Sequence, residues 1–179
     1  MIEGATFPTT NRHRVAISLL HLCLEHHQGI HVLIDQNVIG SAFALLRPQL
    51  ETYVRGVWFH HCAEEEQIQT FLEGGDPPRF GNLIEAIEQI EGFDCGTLSD
   101  IKNTVYRNLN DFTHGGATQV KARNSREEVV SSYLPEHVLG VISSSTALSL
   151  LAAVAIAVAV GDNILGNRLL ERYQEIYRT

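Results

Sequence analysis

Residues Val138–Val160, VLGVISSSTALSLLAAVAIAVAV, form an uncharged run long enough to cross a bilayer, and the reading given to it decides the fold. Its first half holds four serines and a threonine, neither end carries Trp or Tyr, and no Lys or Arg lies close to its flanks. Those absences argue against a membrane span and for a helix buried on all sides within a soluble bundle, partly against another subunit. Its Ala, Ser and Gly residues permit close helix approach.

Outward from this run the chain is helical in pattern. Pro135 suits a first helical turn, and Asn163 to Tyr177 forms a C-terminal helix. Ahead of it, Ala117 to Leu134 is polar and reads as an ordered loop with a short helical turn. At the other end, Thr9, Thr10 and Asn11 are candidate caps. Val15, Leu19, Leu22, His26 and Ile30 then recur at helical spacing, so a first helix is predicted to about Asp35. A second, from about Val38 to Ala63, carries Phe43, Leu46, Leu50, Val54, Val57 and Trp58, with Pro48 expected to kink it or shift its start. Glu64–Leu72 and Asn82–Glu91 make short helices. Another, capped by Thr97 or Ser99, runs to His114 and stops at Gly115 and Gly116. No strand alternation of useful length occurs, so the expected fold is an all-α bundle of about six to seven helices forming a single domain over residues 1–179.

Composition narrows the function. With 179 residues, 44% hydrophobic and 19% charged, the chain can close one core and is not intrinsically disordered. Thirteen Lys and Arg against 21 Asp and Glu give a net charge of −8, which excludes coating nucleic acid through overall charge. One basic island interrupts this: Lys102, Arg107, Lys121, Arg123 and Arg126 stand against a single acid, Asp111. Three cysteines, Cys23, Cys62 and Cys95, include no CxxC pair, and the N-terminus lacks a signal-peptide pattern, so a reducing, cytoplasmic setting is expected.

On the helix that ends at His114, Arg107, Asn110, Asp111 and His114 fall at i, i+3, i+4 and i+7, which places all four on one face. Leu98, Ile101, Val105, Leu109 and Phe112 hold core spacing on the other. A second polar series, Arg47, Glu51, Arg55 and Trp58, descends one face of the second long helix, with Trp58 read as core. His27 and His31 have the spacing of a metal-binding pair but no evident third ligand, so no metal is expected.

The octet Arg107-Asn108-Leu109-Asn110-Asp111-Phe112-Thr113-His114 resembles the Arg, polar residue, spacer, His signature of the HEPN (higher eukaryotes and prokaryotes nucleotide-binding) superfamily, all-helical proteins that include many ribonucleases. Arg47 and Glu51 on an early long helix, and the Asp-Phe-Thr-His-Gly-Gly close of the motif helix, resemble bacterial HEPN-like branches. The resemblance implies a homodimer that cleaves RNA without metal or other cofactor, at a composite site where the motifs of two protomers meet. It implies a toxin–antitoxin or defence setting with an antitoxin as partner. In it Arg107 stabilises the phosphorane charge, His114 moves the proton, Asn108 orients the phosphate or His114, and Arg47 and Glu51 sit near His114. Asn110 and Asp111 enter through helical geometry alone. The alternatives are a noncatalytic nucleotide- or nucleic-acid-binding module of the same fold and a purely structural dimerisation protein. In the structural case Arg107–Asp111 is an i,i+4 ion pair and His114 complements the helix dipole.

Overall fold

A computed structural model describes residues 10–177 without the Arg107 side chain; the candidate cap Thr9 and that side chain lie outside the description. The described residues form nine helices and no strand. The two longest early ones, α1 (Asn11–Asp35) and α2 (Ile39–His61), make an antiparallel hairpin. Thr10 caps α1 by accepting from the His13 amide, and the turn is closed by Asn37 at φ 58°, a left-handed conformation that Asn tolerates. At Gly56 the two helices press together: a Cβ there would lie 2.7 Å from Leu20 Cγ, so only Gly admits this approach. The core between them takes Leu20, Ile30, Leu46, Leu50, Val54, Val57 and Phe59, and each fully buried side chain of this kind stabilises the fold by about 1.5–3 kcal/mol.

Pro48 sits inside α2 rather than at its start. Proline has no amide hydrogen, so the carbonyl of Ala44, one turn earlier, loses its intrahelical donor. Thr113 Oγ1, from another helix, lies 3.3 Å from that oxygen, its one hydroxyl hydrogen shared with the closer carbonyl of Leu109 at 2.9 Å.

Three short helices follow: α3 (Glu65–Leu72), α4 (Phe80–Ile87) and α5 (Thr97–Thr104). The fourth helix ends earlier than the sequence suggests. Glu88 leaves it to accept from the amide and hydroxyl of Ser99, so the first turn of α5 is capped from another element and not by Thr97 or Ser99. The predicted continuous helix from Thr97 to His114 is also divided, into α5 and α6 (Tyr106–His114), with the break at Val105. Thr104 Oγ1 donates back to the Asp100 carbonyl, a bond that bends helices, and Val105 turns outward instead of entering the core.

After α7 (Ala117–Lys121), a single turn in the polar segment, come α8 (Pro135–Ala159) and α9 (Asn163–Tyr177). The apolar helix α8 packs on both α1 and α2. Ser145 is fully buried at that contact. Its hydroxyl is 2.9 Å from His27 Nδ1, and its carbonyl accepts from Gln49 Nε2 at 2.9 Å. Burial is one-sided, however. Val141, Ser145, Leu148, Ala152 and Ile156 face the hairpin, whereas Leu139, Leu151 and Val158 are exposed, so the expectation of a helix covered all round does not hold within one chain. The hairpin covers only one side of α8, and α9 buries little beyond Gly166.

Candidate functional site

The polar residues of α6 meet α2 at the edge of an apolar contact. Leu109 is buried and Phe112 stacks obliquely on Phe43 of α2 at 4.8 Å, which fixes the rotation of α6. At 100° per residue this turns Tyr106, Asn110, Thr113 and His114 toward the α2 margin, and Asp111 toward the flank. Thr113 adds a weak tie, its hydroxyl 3.3 Å from the Ala44 carbonyl that Pro48 leaves free and 2.9 Å from the Leu109 carbonyl of its own helix.

Arg47 of α2 is the hub. Its Nε donates to Glu51 Oε1 at 2.8 Å, its Nη2 to the Tyr106 hydroxyl at 3.0 Å, and its Nη1 to Asn110 Oδ1. The same Nη1 is 2.9 Å from His114 Nε2. Tyr106 donates its own hydroxyl to Glu51 Oε1 at 2.6 Å, closing an Arg47–Glu51–Tyr106 triangle. Arg55 reaches the other Glu51 oxygen at 3.5 Å. The Arg47 and Glu51 side chains are each 18% exposed, so both ions are largely withdrawn from water and each depends on the other. Burial works against the Arg47 charge, but the hydrogen bonds and charge of Glu51 and the Tyr106 hydroxyl outweigh it, and its pKa is raised. Burial, reinforced by Glu51, pushes the Tyr106 phenol up as well.

A guanidinium only donates, so His114 Nε2 accepts from Arg47 and the neutral ring carries its hydrogen on Nδ1. His114 and Asn110 are exposed, which leaves the His114 ring open to a ligand. Tyr106 is further held by Phe80, stacked at 4.7 Å and 13°, and by the Arg47 guanidinium 4.8 Å from its ring centre.

The remaining predicted residues go elsewhere. Asp111 turns to α7, accepting from the Thr118 hydroxyl at 2.9 Å and amide at 3.2 Å. Gly116 makes room for this: a Cβ there would lie 2.5 Å from the Asp111 carboxylate. Asn108 is exposed, and Arg107 lies in the first turn of α6, its side chain being the one outside the description. Two cations of the basic island lie on different helices' flanks. Lys102 of α5 lies against Gly81 of α4, while the Arg123 guanidinium fills the space above Gly40 at the start of α2. Trp58 is core, 4% exposed, so the polar series on α2 ends at Arg55.

Among the described residues no group of three or more His, Cys, Asp or Glu side chains is placed to hold a metal ion. His27 and His31 meet edge to face at 4.5 Å, with His27 held by Ser145. Cys23 is fully buried and its thiol is pushed up to about 12 by burial, which leaves it no role as a nucleophile.

Tyr106 is absent from the sequence reading. Its spacing with Asn110 and Thr113, at i, i+4 and i+7, is the signal that marks the face of α6 turned to α2.

The chain is thus an all-helical protein with an Arg–Glu–Tyr–His cluster at the α2–α6 junction. It belongs to a family described as a family of unknown function (DUF6988), which matches residues 20–178. No curated protein and no solved structure matches it.

Proposed function

We propose that this chain is a metal-independent endoribonuclease whose reacting groups are His114 and Arg107 on α6, with Arg47 and Glu51 of α2 as positioning residues. The observation that carries the reading is the 2.9 Å approach of Arg47 Nη1 to an exposed His114 Nε2. An RNA phosphate entering beside His114 competes for that guanidinium and binds it more strongly than a neutral imidazole does. Its arrival therefore frees Nε2 at the moment a base is needed. The imidazole takes the proton of the ribose 2′-hydroxyl as the 2′-oxygen bonds to phosphorus. The imidazolium then returns a proton to the departing 5′-oxygen as the P–O5′ bond breaks, leaving a 2′,3′-cyclic phosphate and a 5′-hydroxyl. Arg107, seven residues before His114 and two turns away on the same side of α6, supplies the charge that stabilises the phosphorane. In the composite form of this site the α6 motifs of two protomers meet at one RNA phosphate.

One observation favours a second reading, phosphate binding without cleavage. Arg47 already spends donors on Glu51, Tyr106, Asn110 and His114, and a phosphate that drew the guanidinium without aligning a 2′-hydroxyl would simply be held.

Wild type and His114→Ala are incubated with a mixed RNA pool in excess EDTA, and the new ends and retained RNA are measured. Cleavage by wild type alone with 2′,3′-cyclic ends is the expected result. RNA retention by both proteins without cleavage selects the binding reading, and neither cleavage nor retention by folded wild type overturns both.

A further inference from the structure

The segment between α7 and α8 folds back on itself beside the start of α2. The Val130 amide donates to the Arg123 carbonyl at 3.0 Å, and the Ser132 amide and hydroxyl both donate to the Ala122 carbonyl, at 2.9 and 3.0 Å. The Tyr133 ring is anchored on Phe43 of α2, with centres 5.0 Å apart. Gln119 of α7 holds the other side, donating to the Gly40 carbonyl at 3.3 Å. Arg123 and Tyr133 are thereby brought together over Gly40. A Cβ on Gly40 would collide with the Arg123 guanidinium and lie 2.8 Å from the Tyr133 hydroxyl, so both groups flank one point that a glycine leaves open.

Neither group is satisfied there. The Tyr133 hydroxyl is enclosed without a hydrogen-bond partner. Among the described residues the Arg123 guanidinium has neither a hydrogen bond nor an ion pair. A guanidinium only donates and a phenol has one hydrogen to give, so both lack an acceptor. The start of α2 adds the same sign: Gly40 stands in its first turn, which no side chain caps, and the positive end of the helix dipole lies there. A cation held at such an end is unfavourable by itself. An anion between the two donors reverses that.

We infer that Arg123 and Tyr133 bind a second phosphate of the RNA strand whose reacting phosphate lies at His114, which rests on the reading of His114 as an RNA site. The Arg123 fork pairs with two phosphate oxygens, and Tyr133 donates to one of them. Arg123 is exposed, so its guanidinium swings off Gly40 to admit the oxyanion. Gly40 and Arg47 are seven residues apart on α2, hence on one face and about 10 Å apart along its axis. Phe43, between them, carries both Phe112 of α6 and Tyr133. The edge from His114 to Arg123 is thus continuous, at a separation that nearby phosphates of one single strand span. A free phosphate would satisfy the same donors, but the alignment with Arg47 favours a strand. With a net charge of −8 the chain has no general attraction for RNA, so local contacts of this kind must hold it.

Binding of a fluorescein-labelled 2′-O-methyl oligoribonucleotide of about ten nucleotides, which offers no 2′-hydroxyl and stays whole, is measured by anisotropy between about 50 and 200 mM salt. Arg123→Gln is expected to weaken binding about tenfold at the lower salt. It should also reduce the slope of log affinity against log salt by about 0.7, the value for one phosphate contact on a single strand. Tyr133→Phe keeps the ring on Phe43 and is expected to weaken binding about threefold with an unchanged slope. Gly40→Ala leaves every charge in place and suits a helix, yet displaces the guanidinium, so weaker binding by a well-folded protein is expected. Wild-type affinity and slope in Arg123→Gln, or a wild type that leaves the strand unbound, overturns the inference. So does a Gly40 amide shifted by inorganic phosphate in a protein whose strand affinity ignores Arg123, since the site then serves a free anion. Failure at His114 reads differently: a strand held through Arg123 by a protein that cleaves no RNA upholds the inference and removes only the catalysis. Cleavage with a strand affinity indifferent to Arg123 does the reverse.

Discussion

Arg47 and His114, 67 residues apart in sequence and on different helices, stand with Nη1 and Nε2 2.9 Å apart. The donor is fixed, so the acceptor is fixed too. Nitrogen-15 chemical shifts of the neutral His114 ring are expected to show the hydrogen on Nδ1 in wild type and a mixture of tautomers in Arg47→Ala. A ring protonated on Nε2 in wild type contradicts the arrangement.

Tyr106 ties α6 to the Arg47–Glu51 pair through one hydroxyl that both donates and accepts. Tyr106→Phe keeps the ring on Phe80 and removes both bonds, so a loss of about 1–2 kcal/mol of stability is expected in urea unfolding, with an unchanged m-value. Glu51→Gln should cost more, about 3 kcal/mol, because it leaves the Arg47 charge largely buried without its counterion. Equal losses in the two variants would show that the ion pair is not what holds the cluster.

The close hairpin contact predicts a steric penalty. Gly56→Ala drives a methyl group into Leu20 and to within 3.2 Å of the Ala16 carbonyl, and is expected to destabilise by about 1–3 kcal/mol. Gly140→Ala, where nothing lies within 4 Å, serves as the control and should not destabilise.

His60 is pushed down to about 4 by burial, then by His61, His13 and Arg12. In the unfolded chain a histidine titrates near 6.5. Between these values the unfolded chain binds the extra proton, so stability rises with pH across the window and is lost as pH falls from about 6.5 toward 4. His60→Gln should flatten this slope in urea unfolding at pH 4.5 and 7. A residual slope of the same sign is expected from His26, His27 and His61, whose pKa values burial also lowers. An unchanged slope in His60→Gln would remove His60 as its source.

Periodicity carried most of the helical layout. The bounds of α1 and α9 and the start of α8 follow from caps, Pro135 and apolar spacing, because these signals act within a turn or two of chain. The break at Val105 was not legible, since unbroken helical spacing runs through it and the bend comes from the back-bonded Thr104 and the anchoring of Tyr106 on Glu51 and Phe80. Of the candidate site, Arg47, Glu51, Asn110 and His114 are brought together, while Asp111 is drawn off to α7. Helical spacing tells which residues share a face, but not which neighbour that face will meet.

By itself, then, the sequence determined the class of fold and the chemistry available to it. Apolar residues at helical spacing have to be buried, and Arg, Glu, Asn and His remain where the pattern leaves them at a margin. Tertiary structure alone decided the rest. The rotation of α6 follows from Phe112 packing on Phe43, and its register from Tyr106 and Asn110 meeting Arg47 and Glu51. The open side of α8 follows from the hairpin being wide enough to cover only one of its faces. These are contacts between segments distant in sequence, whose energies depend on positions that no local pattern encodes.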